Sequence, residues 1–123
     1  ALQAADGVEV ECRPGQLVQV LLNLLNNAYD AVAGKDDVWV ELGAALDPAG
    51  SSINVTCRDS GAGVPDAVTA RIFEPFYTTK PRGQGTGLGL SISAGIAGEH
   101  GGRLWLDRAS ARTTFVLSLP IAK

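Results

Sequence analysis

Methionine is absent from this sequence of 123 residues, histidine occurs once, cysteine twice, and aromatic residues make up only 6%. Each shortage excludes something. The missing methionine, at the start as elsewhere, predicts a domain that belongs to a longer protein, and the opening Ala1-Leu2-Gln3 carries no signal or transit segment. Cys12 and Cys57 lie in separate strand-like runs without metal-site or redox-motif spacing, so reduced core residues of a cytosolic domain are expected rather than a disulfide. No apolar run approaches the ~20 residues that span a bilayer, so this segment is expected to be soluble and to make no membrane contact. A net charge of −3 and a pI near 5.0 argue against nucleic-acid binding, which a basic patch would announce. The phosphate-binding motif Gly-x-x-x-x-Gly-Lys-Ser/Thr is missing, the glycine spacing does not suit the dinucleotide fingerprint, and the His-Arg-Asp and Asp-Phe-Gly motifs of Ser/Thr/Tyr protein kinases are absent. Finally, no Asp or Glu occurs from Pro75 to Gly98, where this chain's average usage predicts about two or three.

What remains is 46% apolar and 19% charged, enough for one compact domain over residues 1–123, which buries roughly two-thirds of its unfolded surface. No internal repeat or domain boundary interrupts it. Val8 to Cys12 alternates apolar and charged residues like a half-buried strand, and Pro14 suits the first turn of a helix. From Gln16 to Ala33, Leu17, Leu21, Leu24, Leu25, Ala28 and Val32 recur at helical spacing, and Gly34 stops the run. Strands are expected over 37–42 and 53–57 around a turn at 48–52, a short helical stretch after Pro65, a second helix from about Gly87 to Glu99, and closing strands over 103–107 and 113–119. This order predicts an α+β two-layer sandwich: a mixed, mostly antiparallel sheet with helices packed on one face.

Four constellations carry possible chemistry. On the long helix, Gln16, Gln19, Asn23, Asn26, Asn27 and Asp30 form one polar stripe. A solvated face accounts for most such stripes. Here the residues are almost all amides, and asparagine is a mediocre helix former, so Asn23 and Asn27, one turn apart, suit a hard cation such as Mg²⁺ through their oxygens. Asp59-Ser60-Gly61-Ala62-Gly63 at a strand end is either ordinary turn chemistry or a carboxylate acceptor beside glycines that admit a flat ligand. Gly83, Gly85, Gly87 and Gly89 place glycine at every second position before a helix, an arrangement that frees backbone amides for an anion. A flexible loop explains those glycines but not the missing acids beside Lys80 and Arg82. The fourth is His100, which before Gly101-Gly102 reads as a structural residue at a helix C-terminus.

Taken together and in this order, the motifs resemble the ATP-binding catalytic domain of bacterial sensor histidine kinases, whose superfamily includes DNA gyrase, a heat-shock chaperone and mismatch-repair ATPases. The stretch from Gln19 to Ala28 is similar to the asparagine box, Asp59-x-Gly61-x-Gly63 to the first glycine box, and Gly85-Thr86-Gly87-Leu88-Gly89-Leu90 to the second. The segment Phe73 to Lys80 resembles the phenylalanine box of nitrogen- and dicarboxylate-sensing kinases. The resemblance covers roughly residues 10 to 120. It implies Asn27 as main Mg²⁺ ligand with Asn23 assisting, and Asp59 as acceptor for the adenine amino group. Gly61 and Gly63 would admit the base, Thr113 would reach it through water, and Gly85, Thr86, Gly87, Leu88, Gly89 and Leu90 would cradle phosphates in a glycine-rich lid. Lys80 would be the cation at the outer phosphates and, with Asn23, serve the catalytic step.

Within the superfamily, ATPase branches place a general-base glutamate where this chain has Asn23. An amide takes no proton from water, so kinase chemistry is implied rather than efficient hydrolysis. Two departures stand out. The third glycine box, usually Gly-x-Gly-Thr, reads Ala109-Ser110-Ala111-Arg112-Thr113, and no His-Glu-x-x-Asn/Arg-x-Pro phosphoacceptor motif occurs. The resemblance therefore implies a cytoplasmic module, in a protein that is itself soluble or membrane-anchored. It would pass the γ-phosphoryl group to a histidine on a dimerisation domain of the same full-length protein, and onward to a response regulator receiver domain. The rival readings are an anti-sigma-factor-type serine kinase and a degenerate nucleotide-binding or scaffold module.

Overall fold

The computed structural model describes residues 2–3, 9–61, 64–75, 89–107 and 112–121. The chain begins with a two-stranded antiparallel ribbon, β1 (Leu2–Gln3) and β2 (Glu9–Val10). It continues through α1 (Pro14–Val32), β3 (Val40–Leu46), β4 (Ser52–Asp59), α2 (Asp66–Thr69), α3 (Gly89–Glu99), β5 (Arg103–Leu106) and β6 (Thr114–Pro120). The last four strands form one sheet in the order β3-β4-β6-β5, and each of its pairings is antiparallel. The expected two-layer α+β architecture is therefore observed.

The period-two rule places Ile53 and Cys57 of β4 on the same face as Phe115, Leu117 and Leu119 of β6. That face receives Leu17, Val20, Leu24 and Ala28 of α1 and Ile96 and Ala97 of α3, and together these residues make the core. Leu24 and Leu117 are among its largest fully buried side chains, and burial of each contributes about 1.5–3 kcal/mol. Cys57 lies in this core, Cys12 is half-buried, and both are free thiols. Burial, with the nearby Asp59 charge, pushes the Cys57 thiol up, as suits a reduced core residue.

α1 starts where expected, with Pro14 in its first turn and the Arg13 carbonyl accepting from the Gln16 and Leu17 amides. Gly34, at φ 76°, takes the left-handed conformation that turns the chain away after the helix. The third strand differs from expectation: Asp37 sits at φ 52° in a turn, so β3 begins only at Val40 and runs to Leu46. The Asp47 carboxylate then closes the hairpin, accepting from the Ser51 and Ser52 amides at 2.9 and 3.2 Å.

α3 ends in a Schellman motif: Gly102 N–H donates to the Ala97 carbonyl at 2.9 Å, and Gly101 N–H to Gly98 at 3.0 Å. His100 has the structural role expected. Its Nδ1–H donates to the Ile96 carbonyl at 2.8 Å while Nε2 accepts the Arg13 N–H at 3.0 Å. A ring nitrogen that accepts does so through its lone pair, so in this bonded arrangement Nδ1 is the donor and Nε2 the acceptor. The ring thus ties the end of α3 to the start of α1. His100→Ala removes both bonds and is expected to cost about 1–2 kcal/mol. A denaturant titration measures this, and an unchanged midpoint would show that the clamp contributes nothing.

Candidate nucleotide site

The site is built along one side of α1. Asn23, Asn27 and Ala31 follow at intervals of four residues, so they lie on one helical stripe spanning about 12 Å. At one end the half-buried Asn23 meets the start of α3, its Nδ2 donating to the Gly89 carbonyl at 3.2 Å and to the Ser93 hydroxyl at 3.1 Å. At the other end Ala31 lies against Gly61: a Cβ on Gly61 would stand 3.7 Å from the Ala31 Cβ and carbonyl oxygen. Asn27, between them and half-buried, makes no side-chain hydrogen bond among the described residues. The amide-bearing helix, the end of the glycine-rich segment and the Asp59 turn therefore converge on a common stripe.

Asp59 closes β4 with 3% exposure. Its Oδ1 accepts the Gly61 N–H at 2.7 Å, and a Cβ on Gly61 would itself come within 2.7 Å of that oxygen. Glycine at 61 is thus required by the close approach of the Asp59 carboxylate itself. Burial pushes the Asp59 carboxyl up, partly offset by the Gly61 hydrogen bond and the charge of Lys35. Among the described residues nothing donates to Oδ2, which leaves one acceptor for a ligand. Thr113 is buried beside it, its carbonyl accepting the Asp59 N–H at 3.1 Å.

The turn after Asp59 is held by contacts that motif reading missed. Ser60 and Trp39 exchange backbone and hydroxyl bonds at 3.1 Å, and the Arg112 guanidinium donates to the Ser60 carbonyl at 2.7 Å. The altered third glycine box therefore places an arginine that clasps the first. Of the phenylalanine box, Phe73 packs edge-on against Phe115 with centroids 6.3 Å apart. Gly89 and Leu90 open α3, whose first turn carries no acidic residue, so its amides and dipole favour an anion. A Cβ at Gly89 would meet Asn23 only at ordinary contact distances of 3.8–4.0 Å. Gly63, Lys80, Gly85, Thr86, Gly87 and Leu88 lie outside the described residues.

The donor set suits Mg²⁺ bound together with phosphates. Both N–H donors of Asn23 are committed, leaving its oxygen, and Asn27 offers a second amide oxygen. Among the described residues no three His, Cys, Asp or Glu side chains assemble as metal ligands, so a carboxylate cage is not what this cleft presents. No described helix is long and apolar enough to cross a membrane.

A buried carboxylate at the end of β4, an amide-bearing stripe on α1 and the Gly89 start of α3 along that stripe are the parts of a nucleotide-binding domain of the sensor-kinase class. The chain is 39% identical over 120 residues to the sensory histidine kinase/phosphatase NtrB of Rhizobium leguminosarum bv. phaseoli, a match covering 88% of this chain and 31% of that protein. It is 34% identical over 114 residues to the C4-dicarboxylate transport sensor protein DctB of Rhizobium meliloti, covering 93% of this chain and 18% of that protein. The catalytic domain of histidine kinase ThkA superposes with a TM-score of 0.75 at 32% identity, covering 90% of this chain and 71% of that one. Residues 12–123 match the family described as histidine kinase-, DNA gyrase B-, and HSP90-like ATPase, and the chain belongs to that family. It spans less than a third of the length of NtrB and DctB.

Proposed function

We propose that this chain binds Mg·ATP along the α1 stripe and donates the γ-phosphoryl group to a histidine on a dimerisation domain of the same full-length protein. The observation that carries this reading is the convergence of Asn23, Asn27, Gly89 and the buried Asp59 on one side of α1. The free Oδ2 of Asp59 accepts from the adenine amino group, with Gly61 and Gly63 admitting the base and Thr113 reaching it through water. Asn27 and Asn23 hold Mg²⁺, which when bound neutralises phosphate charge. The α3 amides from Gly89 and Leu90, with Gly85, Thr86, Gly87 and Leu88, cradle the phosphates, and Lys80 meets the outermost.

The γ-phosphorus leaves the β-phosphate oxygen as a bond forms to imidazole nitrogen. ADP departs and the imidazole proton passes to solvent. Asn23 offers no base to activate water, so transfer is favoured over hydrolysis. The phosphate then moves to an aspartate of a response regulator, in the cytoplasm where ATP is supplied. Incubation of this chain with the acceptor helix pair and γ-labelled ATP is expected to place acid-labile label on the helices. Intact nucleotide binding with no label on the acceptor would favour a scaffold module instead.

A further inference from the structure

We infer that Ser93 is a positioning residue for the metal end of the cleft: its buried hydroxyl, together with the Gly89 carbonyl, holds the Asn23 amide so that oxygen, not nitrogen, faces Mg²⁺ and the phosphates. The inference rests on the Mg·ATP reading and names a residue that reading does not use. Ser93, in the second turn of α3, is 0% exposed, and its hydroxyl accepts from Asn23 Nδ2 at 3.1 Å. A buried hydroxyl is costly unless hydrogen-bonded, so the contact explains a serine at an otherwise apolar core position.

The orientation follows from the partners. An asparagine amide can present either end, because rotation about its last torsion is broad and roughly two-fold. The Gly89 carbonyl, 3.2 Å from Nδ2, only accepts, so it selects the nitrogen on that side. That carbonyl also stands where the α3 hydrogen-bond ladder begins, so its hold on Asn23 is shared. Ser93 supplies the second acceptor. With both N–H groups engaged, Oδ1 is the group left for a ligand, and no described residue donates to it.

The test is titration of ADP into this chain with Mg²⁺ and with excess chelator, for wild type and Ser93→Ala. The Mg²⁺-dependent gain in affinity is expected to fall about fivefold in the variant, the scale of one neutral hydrogen bond, with chelated affinity unchanged. Independently, the Asn23 side-chain NH₂ resonances, assigned by their loss in Asn23→Asp, are expected to shift upfield and exchange faster in Ser93→Ala. Should alanine unfold the chain, Ser93→Cys keeps the size with a weak acceptor and carries the same comparison. An undiminished Mg²⁺ gain, or equal loss with and without Mg²⁺, overturns the role of Ser93 while leaving the site standing. A wild-type chain that binds ADP without any Mg²⁺ gain overturns the metal reading, and the inference falls with it.

Discussion

Asp59→Asn is expected to weaken ADP binding by about 1.5–3 kcal/mol, the worth of a charge-assisted hydrogen bond, without lowering stability. The two effects separate because the two carboxylate oxygens have different duties. Oδ1 accepts the Gly61 N–H at 2.7 Å, and an asparagine oxygen still accepts it, with the weaker bond offset by the lost cost of burying a charge. The other position then carries NH₂, a donor aimed at the adenine amino group, which is also a donor. On the stability side, burial raises the Asp59 carboxyl above its ordinary value. The folded state therefore holds the proton more tightly than the unfolded chain does. Stability falls as pH rises from the ordinary aspartate range through the raised value, and the penalty is carried at pH above it. Asparagine removes that penalty, so the melting temperature of the variant stays level or rises at neutral pH and loses this part of its pH dependence. Calorimetric titration and thermal melts from acidic to neutral pH check both halves. Unchanged ADP affinity would remove Asp59 from the site.

Much of this arrangement was legible in the residues, and the parts that were not have physical reasons. α1 could be read because Leu17, Leu24, Ala28 and Val32 repeat at its pitch, and its amides could be singled out because asparagine is a poor choice for a helix surface. β3 was displaced because alternation over 37–42 mimics a strand, whereas Asp37 at φ 52° bends the chain there. The true strand carries Gly43, Ala44 and Ala45, which lack the branched side chains that mark strands. β1, two residues long, is too short to show any period. Ser93 escaped notice because its partner is 70 residues away, and a serine among small helical residues gives no local signal. Arg112 escaped for the opposite reason: as a departure from a glycine pattern it reads as loss, and only the Ser60 contact shows what it supplies.

Gly102→Ala is expected to be the most damaging glycine substitution in the described structure, costing about 3 kcal/mol, whereas Gly98→Ala costs nothing. Gly98 lies in α3 where an added Cβ meets no atom within 4 Å, so alanine's helical preference of about 0.5–1 kcal/mol acts unopposed. At Gly102 a Cβ would overlap the Ser118 carbonyl oxygen, with the Leu119 side chain also within 3.2 Å. The obstacle is backbone in the central strand β6, not the end of a mobile side chain, and β5 pairs with Ser118 at the very next residue, Arg103. Relief requires either breaking that pairing or pulling Gly102 away from Ala97, whose carbonyl it caps. Both movements loosen the C-terminal end of α3. Since the opposite end of that helix holds Asn23 through Gly89 and Ser93, ADP affinity is expected to fall along with stability in Gly102→Ala. Paired denaturant titrations of the two variants measure the contrast, and equal midpoints would show that β6 yields to the extra methyl.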